Sequence, residues 1–306
     1  VEFGTDILNG CTSLTTVVLP NNLQKISAGL FDGCSSLTEI VLPSGITEIG
    51  ERAFKDTNLA QITLADGITK ISDSAFMGAK LVSITLSDSI TQIGESAFED
   101  CTELTTVVIP ANSMLRIIGK YAFAYCRNLE TITLPEGLTT IGTGAFYHKN
   151  SGSKLESINL PSSLTTLGDQ AFAYTALRAI DIPESITVIK EYTFVECHSL
   201  TDVKLPSTLT EIGECAFRDC VKLVSIDIPE SLRIVRKGAF AYCNELTALA
   251  LPNVMTTIES GILQMSNKLK SLAVPFIGSS LDSEESNFTY SHFFLGGSGI
   301  FGGVPD

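Results

Sequence analysis

Eight cysteines and three histidines are the side chains of this 306-residue chain best suited to nucleophilic or metal chemistry. A cysteine reacts as its thiolate, and Cys or His pairs at short spacing bind zinc. Seven of the cysteines share one place in a recurring pattern: Cys11, Cys34, Cys101, Cys126, Cys197, Cys220 and Cys243. Thr57, Ala79, Thr175 and Ser266 fill the same place elsewhere, so the slot asks for a small, buried side chain. Cys197, Cys220 and Cys243 follow one another at the repeat interval, and no Cys-x-x-Cys occurs, so neither a metal nor another cofactor is expected. Side chains one strand spacing apart lie ~4.8 Å from each other, whereas bridged Cβ atoms prefer ~3.8 Å. Free thiols are therefore favoured, with a disulfide as the alternative. Cys215 stands outside the column, beside Ala216, and is expected to be exposed and reactive.

The histidines offer no triad or metal pair. His148 lies in an insertion and His198 between repeats, both expected on the surface, and His292 stands near the C-terminus. Convergent acid, base and nucleophile are missing from the motifs, as are a P-loop and a dinucleotide fingerprint. The chain reads as a non-enzyme. A formal charge of −14, from 20 basic and 34 acidic residues, opposes binding to nucleic acid or to anionic lipid. No run of 18 apolar residues is long enough to enter a membrane as a helix.

What must position these side chains is a repeat. Turns open at Leu14, Leu37, Leu59, Leu81, Leu104, Leu129, Leu155, Leu177, Leu200, Leu223, Leu246 and Leu269. The spacing is 22 or 23 residues, stretched to 25 and 26 after Leu104 and Leu129 by insertions near 111–115 and 147–154. Each turn reads Leu-x-x-Ile-x-Leu-Pro-x-x-Leu-x-x-Ile-Gly-x-x-Ala-Phe-x-x-Cys. Such a period indicates a solenoid, because one unit cannot bury its own apolar face. The alternating Ile-x-Leu predicts a short strand, closed in ten turns by a proline that cannot donate to a ladder. A second extended piece ends at Ile-Gly, and one helical or 3₁₀ turn is expected around Ala-Phe. Phe31, Phe54, Phe76, Phe98, Phe123, Phe146, Phe172, Phe194, Phe217 and Phe240 should form one stacked internal column. The Gly is replaced by Lys190, Arg236 and Glu259, so either the position does not demand a positive φ in every turn or those later turns are distorted.

These columns together resemble the BspA-like leucine-rich repeat over about residues 1–275. The resemblance implies a right-handed leucine-rich repeat superhelix of α/β type, with a parallel β-sheet of about twelve short strands and short helical turns. It also implies a secreted or cell-surface protein that binds other proteins, often in adhesion, at the surface of a host or neighbouring cell. A passive spacer within a larger surface protein, or a glycan-binding module, is the alternative; against the latter, the outward strand face carries no aromatic platform.

That outward face is where function is expected. Its first half is Thr and Val: Val18, Val41, Thr63, Thr85, Val108 and Thr133. Farther on it becomes charged, with Asp181, Asp202, Lys204, Ser225 and Asp227 on three successive turns and Lys204 between Asp181 and Asp227. A solvated ion ladder of that kind contributes little to stability; the functional expectation is an acidic spot that reads a basic partner or weakly holds a cation. Residues 276–306 leave the period and are expected to cap the last turn; the family resemblance implies, as the alternative, an insertion ending at Val304-Pro305 with a return to the repeat. Asn287-Phe-Thr289 would serve as a glycan acceptor only in a eukaryotic source. Val1 falls in mid-repeat, which suggests that a longer chain was cut there.

Overall fold

Three short backbone segments recur in every turn, and each stacks on its counterpart one turn away. The computed structural model describes residues 3–149 and 152–275. The expected segment 276–306, with His292, Asn287 and the cap, lies outside the described residues.

The segment ending at Ile-Gly builds the longest strand ladder. Lys25–Ile26, Glu48–Ile49, Lys70–Ile71, Gln92–Ile93, Ile117–Ile118, Thr140–Ile141 and Thr166–Leu167 form one parallel seven-stranded sheet. Val188–Ile189, Glu211–Ile212, Ile234–Val235 and Thr257–Ile258 form a parallel four-stranded one. Glycine after the second Ile is explained by contact between turns. A Cβ on Gly119 would lie 2.6 Å from the carbonyl carbon of Gly94, and one on Gly168 would lie 2.3 Å from the Thr143 nitrogen. Neither glycine has positive φ. The break between the two sheets falls where Lys190 replaces the glycine. Arg236 and Glu259 make the same replacement without a break, donating to Ile212 and Val235 at 2.9 Å, so the side chain alone does not decide it.

The Ile-x-Leu segment alternates as expected, with Ile84, Ile180 and Val203 inward between exposed neighbours. Its ladder, however, is fragmentary, and this corrects the expected sheet of about twelve strands. Ser83–Thr85, Thr106–Val108 and Thr131–Ile132 pair in parallel, as do Ala179–Asp181 with Asp202–Lys204 and Ala248–Ala250 with Ser271–Ala273. Among the described residues, no backbone hydrogen bond joins 16–18 to 39–41 or 39–41 to 61–63. Close approach at the glycine side holds the turns together there and leaves this row free to spread.

The third segment corrects the expected helical turn. Around Ala-Phe no helix forms among the described residues. Two positions four apart instead take left-handed φ in turn after turn, as at Arg52 and Asp56, Ser96 and Asp100, and Tyr121 and Tyr125. A left-handed residue ends any right-handed helix. Every second N–H then closes a local turn, such as Ala53 to Gly50 at 3.2 Å, while the intervening ones reach the next turn of the solenoid. Phe54 N–H donates to Ala75 at 2.8 Å and Phe76 N–H to Ala97 at 2.8 Å; the series continues to Phe240 and Ile262. Under this seam the ten Phe rings stack with centroids 5.2–5.8 Å apart and planes within 15°.

All eight cysteines are free. The column is more than a small-residue slot: from Cys101 on its thiols donate to the Phe carbonyl of the preceding turn, and Cys34 donates to Leu8. Cys101 bonds Phe76 at 3.0 Å, Cys220 bonds Phe194 at 3.3 Å, and Ser266 replaces the thiol toward Phe240 at 3.0 Å. Where Ala79 cannot donate, Thr57 supplies the Phe54 carbonyl at 2.9 Å from its own turn.

Deleting one ring interrupts the whole stack. Phe123→Ala should cost about 3–5 kcal/mol, measured by urea unfolding, through lost burial and the cavity left behind. Gly119→Ala should cost about 1–3 kcal/mol by forcing two backbones apart.

Candidate functional site

The five residues expected to form a site are all exposed on the outward side of the Ile-x-Leu row. Parallel pairing of Ala179–Asp181 with Asp202–Lys204 sets Asp181 opposite Lys204 and Asp202 opposite Ala179. Ser225 and Asp227 flank buried Ile226 on the next turn, but their segment joins no strand ladder. None of the ion pairs among the described residues includes Asp181, Asp202, Lys204 or Asp227. Sequence reasoning missed Glu184, which belongs to the same neighbourhood. Hydrogen bonds from the Ser207 hydroxyl and N–H, at 2.7 and 2.9 Å, hold its carboxyl below the usual range, and the Lys204 charge adds to this.

The Thr/Val half of the row is also open. Val18 and Val41 are 97% and 84% exposed. A groove of about 390 Å³ runs between 16–17, 39–41 and 61–63, and one of about 540 Å³ lies between 40–44 and 63–66.

Cys215 is buried, contrary to expectation. Its left-handed backbone sets the thiol over Gly238 of the next turn, where a Cβ would come within 3.1 Å of the sulfur. Burial pushes its thiol up, with a smaller opposing effect from Arg218. In the column, burial pushes Cys197 to about 11 and Cys243 to about 12. None of these is a thiolate at neutral pH. No group of three or more Cys, His, Asp or Glu among the described residues could hold a metal ion.

His198 is exposed as expected, whereas His148 is buried, with neither ring nitrogen hydrogen-bonded among the described residues. In the preceding turns its place carries left-handed Asp100 and Tyr125; His148 lacks positive φ, and the chain enters the insertion there. Its ring meets Tyr125 at 6.4 Å, edge to face. Tyr125 belongs to a cluster that sequence reasoning also missed. Tyr147 touches Tyr121, Tyr125 and Tyr174 at 6.3, 5.5 and 5.5 Å, each edge to face. Gly144 makes room for Tyr121, whose ring lies 2.2 Å from where a Cβ would stand. Tyr125 and Tyr174 in one slot of nearby turns, with Tyr147 between them, was the available signal.

The turn geometry, the Phe column and the free-thiol column now stand beside a family comparison. The model for the BspA type leucine rich repeat region matches six copies, over residues 1–115, 48–177, 111–194 and 165–292. The chain belongs to the BspA-type leucine-rich repeat family. A leucine-rich repeat protein from Bacteroides ovatus is 28% identical, covers 88% of this chain and 75% of its own, and superposes with a TM-score of 0.71. The pneumococcal vaccine antigen PcpA is 24% identical over 83% of this chain and 69% of its own, with a TM-score of 0.56. A leucine-rich repeat protein from Eubacterium ventriosum is 24% identical over 87% and 84%, with a TM-score of 0.50. The last two share the fold. No curated protein matches the chain. No helix among the described residues is long and apolar enough to cross a membrane. In this BspA-type chain the repeating residues are spent on the core, and the residues free to act are those that vary between turns.

His148 gives a pH test of the packing. Burial lowers its pKa below 6.5, and the nearby Arg127 charge adds to this. The unfolded chain therefore takes up the proton first, so the stability held by neutral His148 is whole above pH 6.5 and is lost as pH falls below it. The urea midpoint should drop as pH falls from about 6.5 to 5, and His148→Phe should remove part of that drop.

Proposed function

We propose that this chain is a non-catalytic interaction module that docks a protein partner on the outward side of its Ile-x-Leu row. The observation that carries the reading is the exposed charged group Asp181, Asp202, Lys204 and Asp227, which makes no ion pair among the described residues. Charges already spent on one another would have little left for a partner. On this solenoid many other acids are so spent: Glu48 pairs with Lys25, Glu156 with Arg178, and Glu211 and Glu259 share Arg236. Asp181, Asp202 and Asp227 outnumber Lys204, so the spot suits a basic segment of a partner. Exposed Val18 and Val41, with Thr63 and Thr85, extend the same row as a mildly apolar surface.

A place on the cell surface or outside the cell, and a role in adhesion, follow from the same reading; BspA-type repeats are typical of surface and secreted proteins. Repeat scaffolds host unrelated partners, so the varying residues decide the ligand.

The test is binding of the 306-residue chain to surface proteins of candidate host or neighbouring cells, measured by biolayer interferometry. The double substitution Asp181→Asn with Asp227→Asn should weaken binding about tenfold, or about 1.4 kcal/mol. Unchanged binding would remove the acidic spot from the account, and a parent chain that binds none of these proteins would leave the spacer.

A further inference from the structure

The tyrosine cluster lies away from the strand row, on the Ala-Phe side of the turns, and is more than core packing. Its rings are only half-buried. The hydroxyls of Tyr125 and Tyr147 donate to no described residue, while burial and neighbouring tyrosines push Tyr147 up to about 12. A partly dewatered tyrosine with a spare hydroxyl is what protein interfaces use, because it offers a large rigid area and a polar tip at low entropic cost.

The chain segment that carries Tyr121, Tyr125 and Tyr147 is basic, while the Glu196 carboxylate lies close to Tyr147 and beside the Tyr174 hydroxyl. Residues 116–154 hold Arg116, Lys120, Arg127, Lys149 and Lys154 against only Glu130 and Glu136. Lys120 is drawn toward Glu95 at 3.6 Å and Lys154 toward Glu130 at 3.5 Å. Arg127 and Lys149 are exposed, with no ion pair among the described residues. The slot of Tyr125 and Tyr174 varies along the chain, with Asp56, Gly78 and Asp100 on earlier turns and Glu196, Asp219 and Tyr242 on later ones. Beneath the cluster lies His148, a buried imidazole whose two nitrogens find no hydrogen-bond partner among the described residues. Such groups are rare where packing is the only demand.

We propose that Tyr125, Tyr147 and Tyr174, rimmed by Arg127 and Lys149, form a second docking surface that takes an acidic peptide segment of a protein partner. The proposal rests on the reading that the chain binds proteins, but not on the Asp181–Asp227 spot. Arg127 offers a planar fork for a carboxylate, Lys149 a point charge, and the hydroxyls of Tyr125 and Tyr147 donate beside them, while Tyr174 contributes its ring. Edge-to-face rings interlock and leave no flat platform, which disfavours a sugar stacked on them. The chain as a whole repels an acidic partner, but at physiological salt charges beyond ~8 Å are largely screened, so the local balance decides.

The chain has no Trp, and four of its seven Tyr are in this cluster, so a change in tyrosine emission that Tyr125→Leu with Tyr174→Leu removes reports the patch. Octaglutamate, octalysine and a sulfated heparin oligosaccharide are each titrated into the intact chain at physiological salt while tyrosine emission is followed. Octaglutamate should give a saturable change and octalysine none. Arg127→Glu with Lys149→Glu should weaken the octaglutamate response at least tenfold with an unchanged circular dichroism spectrum. Tyr125→Leu with Tyr174→Leu should do the same, and Asp181→Asn with Asp227→Asn should leave it intact. The proposal is overturned by no saturable response to octaglutamate, by an equal response to octalysine, or by charge-reversed variants that bind like the parent. Binding of the sulfated oligosaccharide in place of octaglutamate would overturn it in favour of a glycan, and none of these results alters the strand-face test.

Discussion

Everything in this solenoid depends on one repeated hydrogen bond, from a Phe N–H to the backbone carbonyl before the Phe column one turn later. It recurs from Phe31 to Phe240 at 2.8–3.0 Å. The bond exists because left-handed residues on either side of Ala-Phe prevent a helix and turn alternate N–H groups along the stack. The spacing it sets brings the Phe rings to stacking distance beneath it, and it lets the buried thiols reach the Phe carbonyls of the preceding turn. Hydrophobic burial of the rings supplies the driving force; the hydrogen bonds fix the register.

Because the Ala-Phe ribbon and the Ile-Gly ladder carry the continuity, the Ile-x-Leu row is left less constrained. It is paired in pieces and open in the first three turns, with grooves between them. A row that is not needed to hold the turns together can vary its outward residues without cost to the core. The change from Val18 and Val41 to Asp181, Lys204 and Asp227 along one row expresses that freedom. The turn edge varies in the same way, from Asp100 through Tyr125 and Tyr174 to Glu196.

Much of this was legible in the sequence, and the exceptions have physical reasons. The Phe and Cys columns were readable because every turn repeats the same apolar type at the same place, and burial acts on residue type. The inward and outward sides of Ile-x-Leu were readable from alternation alone, so the exposure of Asp181, Asp202, Lys204, Ser225 and Asp227 follows. Which row would pair was not readable, because pairing depends on how closely glycines such as Gly119 and Gly168 let two backbones approach. The left-handed ribbon was hidden because glycine marks its positions only in some turns, as at Gly29, Gly144 and Gly238, while Arg52, Tyr121 and Cys215 fill them in others. Cys215 and His148 were misplaced for related reasons: one sits at a left-handed position that turns its thiol over Gly238, the other where the chain leaves the ribbon for an insertion. The tyrosine cluster joins turns of unequal length, so it emerges only when those turns are stacked.

The central claim is that the Ala-Phe ribbon, and not the Ile-x-Leu row, holds the turns together. Amide hydrogen exchange read residue by residue tests it most directly. The account predicts that the amides of Phe54, Phe76, Phe98 and Phe123 exchange among the slowest, while those of Val18, Val41 and Thr63 exchange fast. Equal protection of both groups, or slower exchange in the Ile-x-Leu row, would contradict it.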